Sequence, residues 1–584
     1  MQKRVQQWES RFLSKSGKEI LLKSIAQALP SFAMSVFLLP VETCKSMESI
    51  MSKFWWKSSN QNQGVTWASW NRLSKHKNEG GLGFRNLRDY NLAMLGKQAW
   101  RLISNEGSIV SRVYKARYYP QESFFSASLG CNPSFIWKSL FETKDLIKAG
   151  TIIHIGNGLN TSITSDPWLP DLNNPKITST HPALLGQKVA SLMCVGENSW
   201  DSEIINDLFD DRDKALILGI PLSQANREDC WSWLLEKSGI YSVKSAYRFL
   251  QQSKNNGQQN SALWKDFWKI EVPSKVLHFG WKAITGCLPT KVQLQIKHVP
   301  VDNLCPFCNV AAETIIHVLV YCPYANSCWI RSSISISTDA FVSFSDWFEA
   351  QVAGKNGSLL KEILMIAWAI WNARNKLVWD KKSMLAADVV LSARSTLNQW
   401  SFAHQRRMDP LLMFNEHNVE VEHWITPAND TIKVNVDGAI FEATNSFGFG
   451  YIARRSDGSL LEAASVGKIG RVAPEVAEVA GIKEALSWIK SKGWHKVSLE
   501  SDCLVAVQAI HSSASLPSAF GQLVADCQKL LAALINVKVY FVKRSANKAA
   551  HFLARSSCYP SVRVFYDYNS PAELVEIVKN DSYI

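Results

Sequence analysis

The chain has 584 residues and a net charge of +13, with 46% hydrophobic and 20% charged residues. This length exceeds what one hydrophobic core usually organises, so roughly three to five structural units are expected. The composition excludes a largely disordered chain and collagen-like or mucin-like sequences.

The excess positive charge lies at the amino-terminal end, where residues 1–120 contain 19 Lys/Arg and 7 Asp/Glu. Basic residues are interleaved with aromatic ones: Trp8, Arg11, Phe12, Phe54, Trp55, Trp56, Lys57, Arg112, Tyr114, Lys115, Arg117, Tyr118 and Tyr119. Cations suit phosphates and flat rings suit bases, so the pattern favours a nucleic-acid-binding surface. The alternative is an ordinary helical domain with a solvated basic face.

Residues 24–41 carry no charge, and residues 25–39 are mostly apolar. Their length approaches that of a membrane span, but Gln27, Pro30 and Ser31 interrupt the stretch and Pro40 ends it. The pattern therefore predicts two short buried elements around a proline-containing break, and no membrane association.

Twelve cysteines in a chain of this length are too sparse for a secreted disulfide scaffold. The first nine residues lack the apolar core of a secretory signal. An intracellular, reducing location is therefore expected.

One stretch has the residue types and spacing of a metal site: Cys305-x2-Cys308-x8-His317-x4-Cys322. Three thiolates and one imidazole are ligands that tetrahedral zinc prefers, and four ligands leave no open position for chemistry. The spacing predicts a structural zinc site with a helix that ends near Pro323. Buried small residues with a core histidine are the alternative, and Cys328 is a possible substitute for Cys322.

Residues 360–379 have the periodicity of a helix that carries Trp368, Trp371 and Trp379. This pattern predicts a buried aromatic stripe, with Arg374 and Asn375 as consistent with a structural role as with a functional one.

The last quarter of the chain changes to alternating segments. The predicted order is βββαβαβα, with strands at 432–438, 448–453, 460–466, 496–502 and 537–543 and a helix at 473–492.

Three acids fall at related places in this order. Asp437 and Asp502 are predicted to end strands, and Glu478 lies on the helix between those strands. If the strands are neighbours, the carboxylates converge at one edge of the sheet and suit a pair of Mg²⁺ or Mn²⁺ ions for phosphodiester hydrolysis. Alternatively each acid is only solvated, or caps a helix as Asp502 could.

Residues 430–556 resemble the plant branch of ribonuclease H type 1 domains. The matching blocks are 435–439, Ala477-Glu478 with Ala480, 500–502 and 544–554. The resemblance implies cleavage of the RNA strand of RNA–DNA hybrids, with Asp437, Glu478 and Asp502 as metal ligands and Asp437 shared by both ions. His551 stands at the position of the family's fourth acid, and the family's loop histidine has no clear counterpart.

The upstream chain resembles the region that follows the polymerase in plant non-LTR retrotransposon proteins. Matching blocks are 8–14, 29–34, 54–56, 80–84, 155–158, 239–243 and 288–290, and the Cys305–Cys322 cluster resembles the zinc-binding module of those proteins. No aromatic-x-Asp-Asp strand turn of a polymerase precedes these blocks. The similar Leu-Phe-Asp-Asp sequence at 208–211 lies in an acidic loop region without paired strands. No polymerase core and no reverse transcriptase activity are therefore expected.

The predicted fold is multidomain, largely α-helical through a small zinc module and then α/β with a mixed five-stranded sheet. The predicted divisions are a basic helical region (1–125), a connecting region (126–260), a zinc module (261–345), a Trp-rich connector (346–425), a ribonuclease H-like domain (426–560) and a tail (561–584). The expected function is a metal-dependent ribonuclease acting on RNA–DNA hybrids, with nuclear residence consistent with the resemblance. The alternative is a catalytically impaired nucleic-acid-binding protein that uses the same domain as a scaffold.

Overall fold

A computed structural model describes residues 1–6, 8, 13–57, 64–194, 199–222, 227–254, 262–334, 336, 340–352, 357–405, 423–514 and 516–582. They form two compact units. Unit 1 contains the described residues of 1–95 and 250–414, and unit 2 contains those of 96–249 and 415–584.

The helices, in chain order, are α1 Gln2–Gln6, α2 Lys15–Leu21, α3 Ser31–Val36, α4 Val41–Trp56, α5 Trp70–Ser74, α6 Leu87–Ser104, α7 Ile109–Tyr118, α8 Phe135–Phe141, α9 Lys144–Gly150, α10 Ser202–Leu208, α11 Asp211–Leu218, α12 Val243–Lys254, α13 Ala262–Phe267, α14 Ser274–Ile284, α15 Lys291–Ile296, α16 Pro323–Ser332, α17 Phe344–Val352, α18 Gly357–Asp380, α19 Ala386–Gln405, α20 Pro474–Lys492, α21 Leu504–His511, α22 Ala519–Ala532, α23 Lys548–Arg555 and α24 Ala572–Ser582. The strands are β1 Thr151–His154, β2 Cys230–Trp233, β3 Ile432–Phe441, β4 Ser446–Arg454, β5 Leu460–Ile469, β6 Val497–Ser501, β7 Val537–Phe541 and β8 Val562–Phe565.

Unit 1 is helical around a core rich in tryptophan. Trp55, Trp281, Trp329 and Trp347 are each almost fully buried. The indole Nε1 of Trp281 donates to the Gly80 carbonyl at 2.9 Å and thereby joins α14 to the loop before α6. One continuous hydrophobic cluster runs from the amino-terminal helices to α18 and α19.

The apolar stretch at 24–41 forms two short elements, as expected. A π-helical turn covers Leu22–Ala26, and α3 follows Pro30. The prediction that these elements are buried is wrong in part, because Phe32 is 85% exposed and Leu29 is 46% exposed. Within the described residues, no helix has both the length and the apolar character needed to cross a bilayer.

The predicted helix at 360–379 is confirmed as α18, but its aromatic stripe is only partly buried. Trp371 lies in the core, whereas Trp379 is 77% exposed near the end of the helix. Aromatic periodicity identified the helix but could not show where the packed face ends.

The first part of unit 2 has its own core, centred on residues such as Trp168, Leu184 and Ile217. Strands β1 and β2 pair antiparallel beside it. The acidic sequence at 208–211 connects α10 to α11, and Asp210 is the residue that precedes α11. It lies between two helices and not between two strands, so its interpretation as a loop is confirmed.

The second part of unit 2 is a sheet with the order β7-β6-β3-β4-β5-β8. Strands β3, β4, β5 and β8 pair antiparallel in turn, and β3, β6 and β7 are parallel. Helices α20 and α22 cover one face, where Val436 and Phe449 pack against residues such as Ile482. Helices α23 and α24 cover the other, where Ile452 packs against Leu553 and Leu574.

The five predicted strands and their order along the chain are confirmed, but the prediction of a five-stranded sheet is wrong, because the sheet has six strands. The predicted tail supplies a sixth strand, β8, on the β5 edge, and α24 packs behind it. Arg454, fully buried on β4, donates to Asp581 Oδ2 at 2.8 Å and ties α24 to the sheet. Strand β8 was missed because it is only four residues long and its side chains are mostly exposed, so its short alternating pattern does not mark a buried face.

Candidate metal centres

Asp437 lies inside strand β3, not at its end as predicted. The strand continues to Phe441 because β4 pairs along it, with Asp437 opposite Gly450. On its other side β3 pairs with the parallel strand β6. The last pair is Val436 with Ser501, and Asp502 follows directly after the end of β6. The two carboxylates therefore meet where the parallel half of the sheet stops.

Glu478 reaches the same place from α20. This helix starts at Pro474 and lies so close to β3 that a Cβ on Gly438 would come within 2.9 Å of the Glu478 backbone nitrogen. The Gly438 backbone N–H donates to Glu478 Oε2 at 3.1 Å. Ligand oxygens of Asp437, Glu478 and Asp502 all lie within 4.8 Å of one another, so the three predicted acids come together.

Burial and mutual repulsion dominate the electrostatics of this carboxylate cluster. Burial, with the charges of Asp437 and Asp502, raises the pKa of Glu478 to about 9. Burial and Asp437 also raise the pKa of Asp502. The buried Oδ1 of Asn547, next to Asp502, has no hydrogen-bond donor within the part of the chain that the structure describes. A set of acceptors with too few donors fits divalent cations.

The raised pKa of Glu478 gives the magnesium-free protein a pH dependence. The folded state holds this proton more tightly than the unfolded state, where the carboxyl titrates near 4.5. Below pH 4.5 Glu478 is protonated in both states and does not change the free energy of unfolding. As pH rises from there to about 9, the unfolded state loses this proton first and the free energy of unfolding falls. We expect Glu478→Gln to remove this slope, on the order of 1 kcal/mol per pH unit, in urea unfolding between pH 6 and 8 without added Mg²⁺. Parallel pH dependences of variant and wild type would contradict the expectation.

Three residues of the segment 544–551 surround the cluster. Asn547, fully buried, donates from Nδ2 to Asp502 Oδ1 at 3.1 Å and to the Val436 carbonyl at 3.0 Å. His551 Nδ1 lies 2.6 Å from Asp437 Oδ2, and Arg544 donates to His551 Nε2 at 2.9 Å. Since Nε2 accepts, Nδ1 carries the proton and donates to Asp437. His551 lies outside the carboxylate group, and both of its ring nitrogens are engaged.

The four predicted thiol and imidazole residues also come together. Ligand atoms of Cys305, Cys308, His317 and Cys322 lie within 4.8 Å of one another. The Cys305 and Cys322 sulfurs are 3.8 Å apart, and Cys308 Sγ is 3.4 Å from His317 Nε2. Two sulfurs bound tetrahedrally at ~2.3 Å from zinc would be separated by about 3.8 Å, so the geometry fits this metal.

Local backbone structure explains this approach. The first pair lies in a turn closed by hydrogen bonds from Cys305 N to Ala311 O and from Asn309 N to Cys305 O. The second pair is joined by a π-helical turn, His317–Tyr321, in which Cys322 N donates to His317 O at 2.7 Å. This wider turn returns Cys322 to the side of His317, and α16 begins at Pro323. The predicted helix end is confirmed, and Cys328, buried on α16, lies outside the group.

The thiols of Cys305 and Cys322 differ in pKa. The hydrogen bond from the Cys305 thiol to Cys322 raises the pKa of Cys305 and lowers that of Cys322. Cys322 is therefore the more readily deprotonated ligand of the pair.

A buried ion pair, missed from sequence, holds this module to α18. Arg374 Nε and Nη2 donate to the two carboxylate oxygens of Glu313 at 2.6 and 2.7 Å. Glu313 is fully buried and also accepts from the Lys291 backbone N–H at 2.7 Å. Arg374 therefore has a structural role, the first of the two that the sequence left open.

Removing Arg374 should be costly because it leaves a buried carboxylate unpaired. We expect Arg374→Met to lower the free energy of unfolding by about 3–5 kcal/mol. Lys376→Met, at an exposed position two residues further along α18, is the control and should have a small effect. Equal denaturation midpoints for Arg374→Met and wild type would refute the role of the pair.

Comparisons with known proteins agree with the two clusters. A family model for a zinc-binding module in reverse transcriptase matches residues 241–329, and a reverse transcriptase-like model matches residues 435–557. An Arabidopsis thaliana protein named "Putative ribonuclease H protein" is 24% identical over 94% of this chain and 90% of its own length. An Arabidopsis thaliana "Uncharacterized mitochondrial protein" is 39% identical over 25% of this chain and 94% of its own length.

Solved structures of ribonuclease H1 are similar to part of the chain. The enzyme of Halobacterium salinarum is 20% identical, with 22% of this chain and 96% of that chain covered and a TM-score of 0.20. The compost-derived LC11 ribonuclease H1, solved in complex with an RNA/DNA hybrid, is 19% identical, with 22% and 95% covered and a TM-score of 0.20.

The sheet order, the carboxylate cluster and the domain match define a ribonuclease H-like domain that follows a reverse-transcriptase zinc-binding module. The 39% identical relative, of which this chain covers 94%, shows that the chain belongs to the same family as that Arabidopsis thaliana protein, and the two domain matches relate it to reverse transcriptase sequences.

Proposed function

We propose that the protein is a metal-dependent ribonuclease that hydrolyses the RNA strand of RNA–DNA hybrids. The observation that carries the proposal is the convergence of Asp437, Glu478 and Asp502 within 4.8 Å of one another on a ribonuclease H-like sheet. The name of the relative that aligns over 94% of this chain is consistent with it.

Asp437, Glu478 and Asp502 would hold two Mg²⁺ or Mn²⁺ ions, and the resemblance to ribonuclease H type 1 domains implies that both ions share Asp437. Such a pair of ions supplies activation of a water molecule and stabilisation of the leaving oxygen. The protein's own contribution is to fix the three carboxylates before metal arrives. Gly438 N holds Glu478, Asn547 holds Asp502, and His551 holds Asp437.

The electrostatic state of the cluster supports this assignment. A carboxyl whose pKa is raised by neighbouring carboxylates is destabilised when charged, and a divalent cation removes that repulsion. Perturbed acids that converge at a sheet edge are a feature of functional sites rather than of solvated surface acids.

The test is cleavage of a hybrid with the RNA strand labelled, in Mg²⁺ and in Mn²⁺, by the purified full chain. The proposal requires metal-dependent shortening of the RNA strand in the hybrid. No shortening in either metal, with hybrid binding intact, would reject it and leave the second candidate.

For the Cys305–Cys322 cluster, we propose a structural zinc ion with all four ligand positions filled by protein. The donor set and the separations of 3.8 and 3.4 Å support this assignment. The neighbouring ion pair of Glu313 and Arg374 holds this module to α18 within unit 1, which is consistent with a structural ion. No catalytic role is assigned to the zinc.

The second candidate is a nucleic-acid-binding protein whose nuclease centre is impaired. One observation favours it: His551 occupies the family's fourth-acid position and uses Nδ1 to contact Asp437. An imidazole there brings one less negative charge to the cations. The two candidates differ in one result, since the second binds hybrids without cutting them.

A further inference from the structure

A cluster of cations surrounds the end of α4 in unit 1, far in sequence from either proposed metal centre. Lys15 and Lys18 come from α2, Lys282 comes from α14, and Trp55 and Trp56 end α4. These five residues are called the lysine–tryptophan cluster below.

Two of the three lysines of this cluster lie against the indole rings, and Lys18 Nζ lies 5.4 Å from the centroid of the neighbouring Phe54 ring. Lys15 Nζ is 4.9 Å from the centroid of the Trp55 ring and 5.7 Å from that of Trp56. Lys282 Nζ approaches the same Trp56 ring to 6.0 Å. Two ammonium groups therefore converge on one indole, where their repulsion is screened by little water.

Hydrogen-bond donors outnumber acceptors in the cluster. Lys15 Nζ donates to the Trp55 carbonyl and Lys18 Nζ to the Lys57 carbonyl, each at 2.5 Å. Each ammonium has three N–H donors, so further donors remain. Lys282 Nζ brings three further N–H donors to the Trp56 ring.

The two tryptophans add donors of their own. Trp55 is 1% exposed and Trp56 is 5% exposed. The buried Nε1–H of each has no acceptor among the described residues. A buried N–H without a partner is destabilising, and two such groups side by side are unusual in a packed core.

The nearby carboxylate does not neutralise this charge. Glu19 Oε1 is 2.6 Å from Lys23 Nζ and 3.8 Å from Lys77 Nζ, and its Oε2 is 3.7 Å from His278 Nε2. Burial, followed by the charges of Lys282 and Lys18, lowers the pKa of Lys15 to about 7. Burial also lowers the pKa of Lys18 and of Lys282.

We propose that the lysine–tryptophan cluster binds an oxyanion, and specifically a phosphate group of a nucleic-acid backbone. A phosphate brings negative charge to three ammonium groups and several acceptor oxygens to donors that lack partners. A polynucleotide is favoured over a free anion because residues 1–95, which belong to the same unit as the cluster, contain 14 basic and 6 acidic residues, which extends the positive field beyond a single site. This site goes beyond the proposed nuclease and does not depend on it, since binding needs no divalent cation.

The first measurement uses the unmodified chain. Inorganic phosphate, at concentrations too low for its general stabilising effect on folded proteins, should raise the melting temperature more than chloride does at equal ionic strength, and it should compete with hybrid binding. Because no substitution is involved, this result does not depend on whether a variant folds.

The second measurement compares Lys15→Gln and Lys282→Gln with wild type for binding to a labelled hybrid over a salt series, without divalent metal. Each variant should bind more weakly, and the slope of log K against log salt should become shallower by about 0.9 for each phosphate that the variant no longer neutralises. Lys361→Gln, which removes an equal charge from an exposed pair with Glu271 in the same unit, should leave the slope unchanged.

Two results would overturn the proposal. If phosphate and chloride act alike and the salt slopes of all proteins agree, the lysines only pack against the indoles. If phosphate stabilises the chain but Lys15→Gln and Lys282→Gln keep the wild-type slope, the cluster binds a free anion and the polynucleotide assignment is wrong. Retention of the phosphate effect in Lys15→Arg, together with its loss in Lys15→Gln, would support the site.

Discussion

Replacing Asp437 by asparagine should reduce metal-dependent cleavage of an RNA–DNA hybrid by about a thousandfold or more. The change keeps the size of the side chain and removes a charge that lies within 4.8 Å of both Glu478 and Asp502. It also converts an acceptor-only group into one that can donate, next to His551 Nδ1 at 2.6 Å. Single-turnover cleavage of a hybrid with labelled RNA in Mg²⁺ measures the loss.

Asp457→Asn is the matched control for this variant. Asp457 is exposed in the turn between β4 and β5 of the same domain, where it accepts from Ser459. The same chemical change there should leave the cleavage rate within about twofold of wild type. Hybrid binding by Asp437→Asn in the absence of divalent metal should also persist. Cleavage by Asp437→Asn at the wild-type rate would remove this carboxylate from the site.

Loss of one thiol ligand should release zinc and destabilise unit 1. We expect Cys322→Ser to lower the melting temperature by about 10 °C or more, because a structural metal contributes its binding energy to folding. Cys305 and Cys322 are fully buried in the same hydrophobic cluster as the tryptophans, so the local loss extends into the core. Metal analysis of the folded protein together with a thermal scan tests both parts.

Cys328→Ser provides the comparison. Cys328 is equally buried, lies on α16 a few residues further along the chain and is outside the ligand group. This variant should keep one zinc ion per chain and lose only the smaller cost of a buried hydroxyl. Wild-type protein that folds without zinc, or a Cys322→Ser variant as stable as Cys328→Ser, would contradict the structural role.

The order of elements around the carboxylates could be read from sequence because each signal there is local. Alternation at 432–438 identified β3, and the helical period after residue 473 identified α20. The convergence of the acids then required only that β3 and β6 be neighbours, which they are. The Cys305–Cys322 cluster was recognisable for the same reason, since its spacing is a property of one short segment.

Long-range pairings could not be read in this way. Strand β8 is defined by its partner β5, and the ion pair of Arg374 with Glu313 joins residues 61 positions apart. Asn547 was visible in the matching block at 544–554, but its bond to Asp502 depends on how α23 packs against the sheet. The exposure of Phe32 and Trp379 likewise depends on what packs nearby, which periodicity does not specify.

Strand-selective cleavage tests the nuclease assignment most directly. The same labelled RNA is presented in three forms, paired with DNA, paired with RNA and single-stranded, to wild type and Asp437→Asn in Mg²⁺. Wild type should cut the RNA in the hybrid alone, and Asp437→Asn should cut none of the three. Equal cutting by the two proteins, or cutting by wild type that ignores the DNA strand, would contradict a ribonuclease acting on RNA–DNA hybrids through this carboxylate cluster.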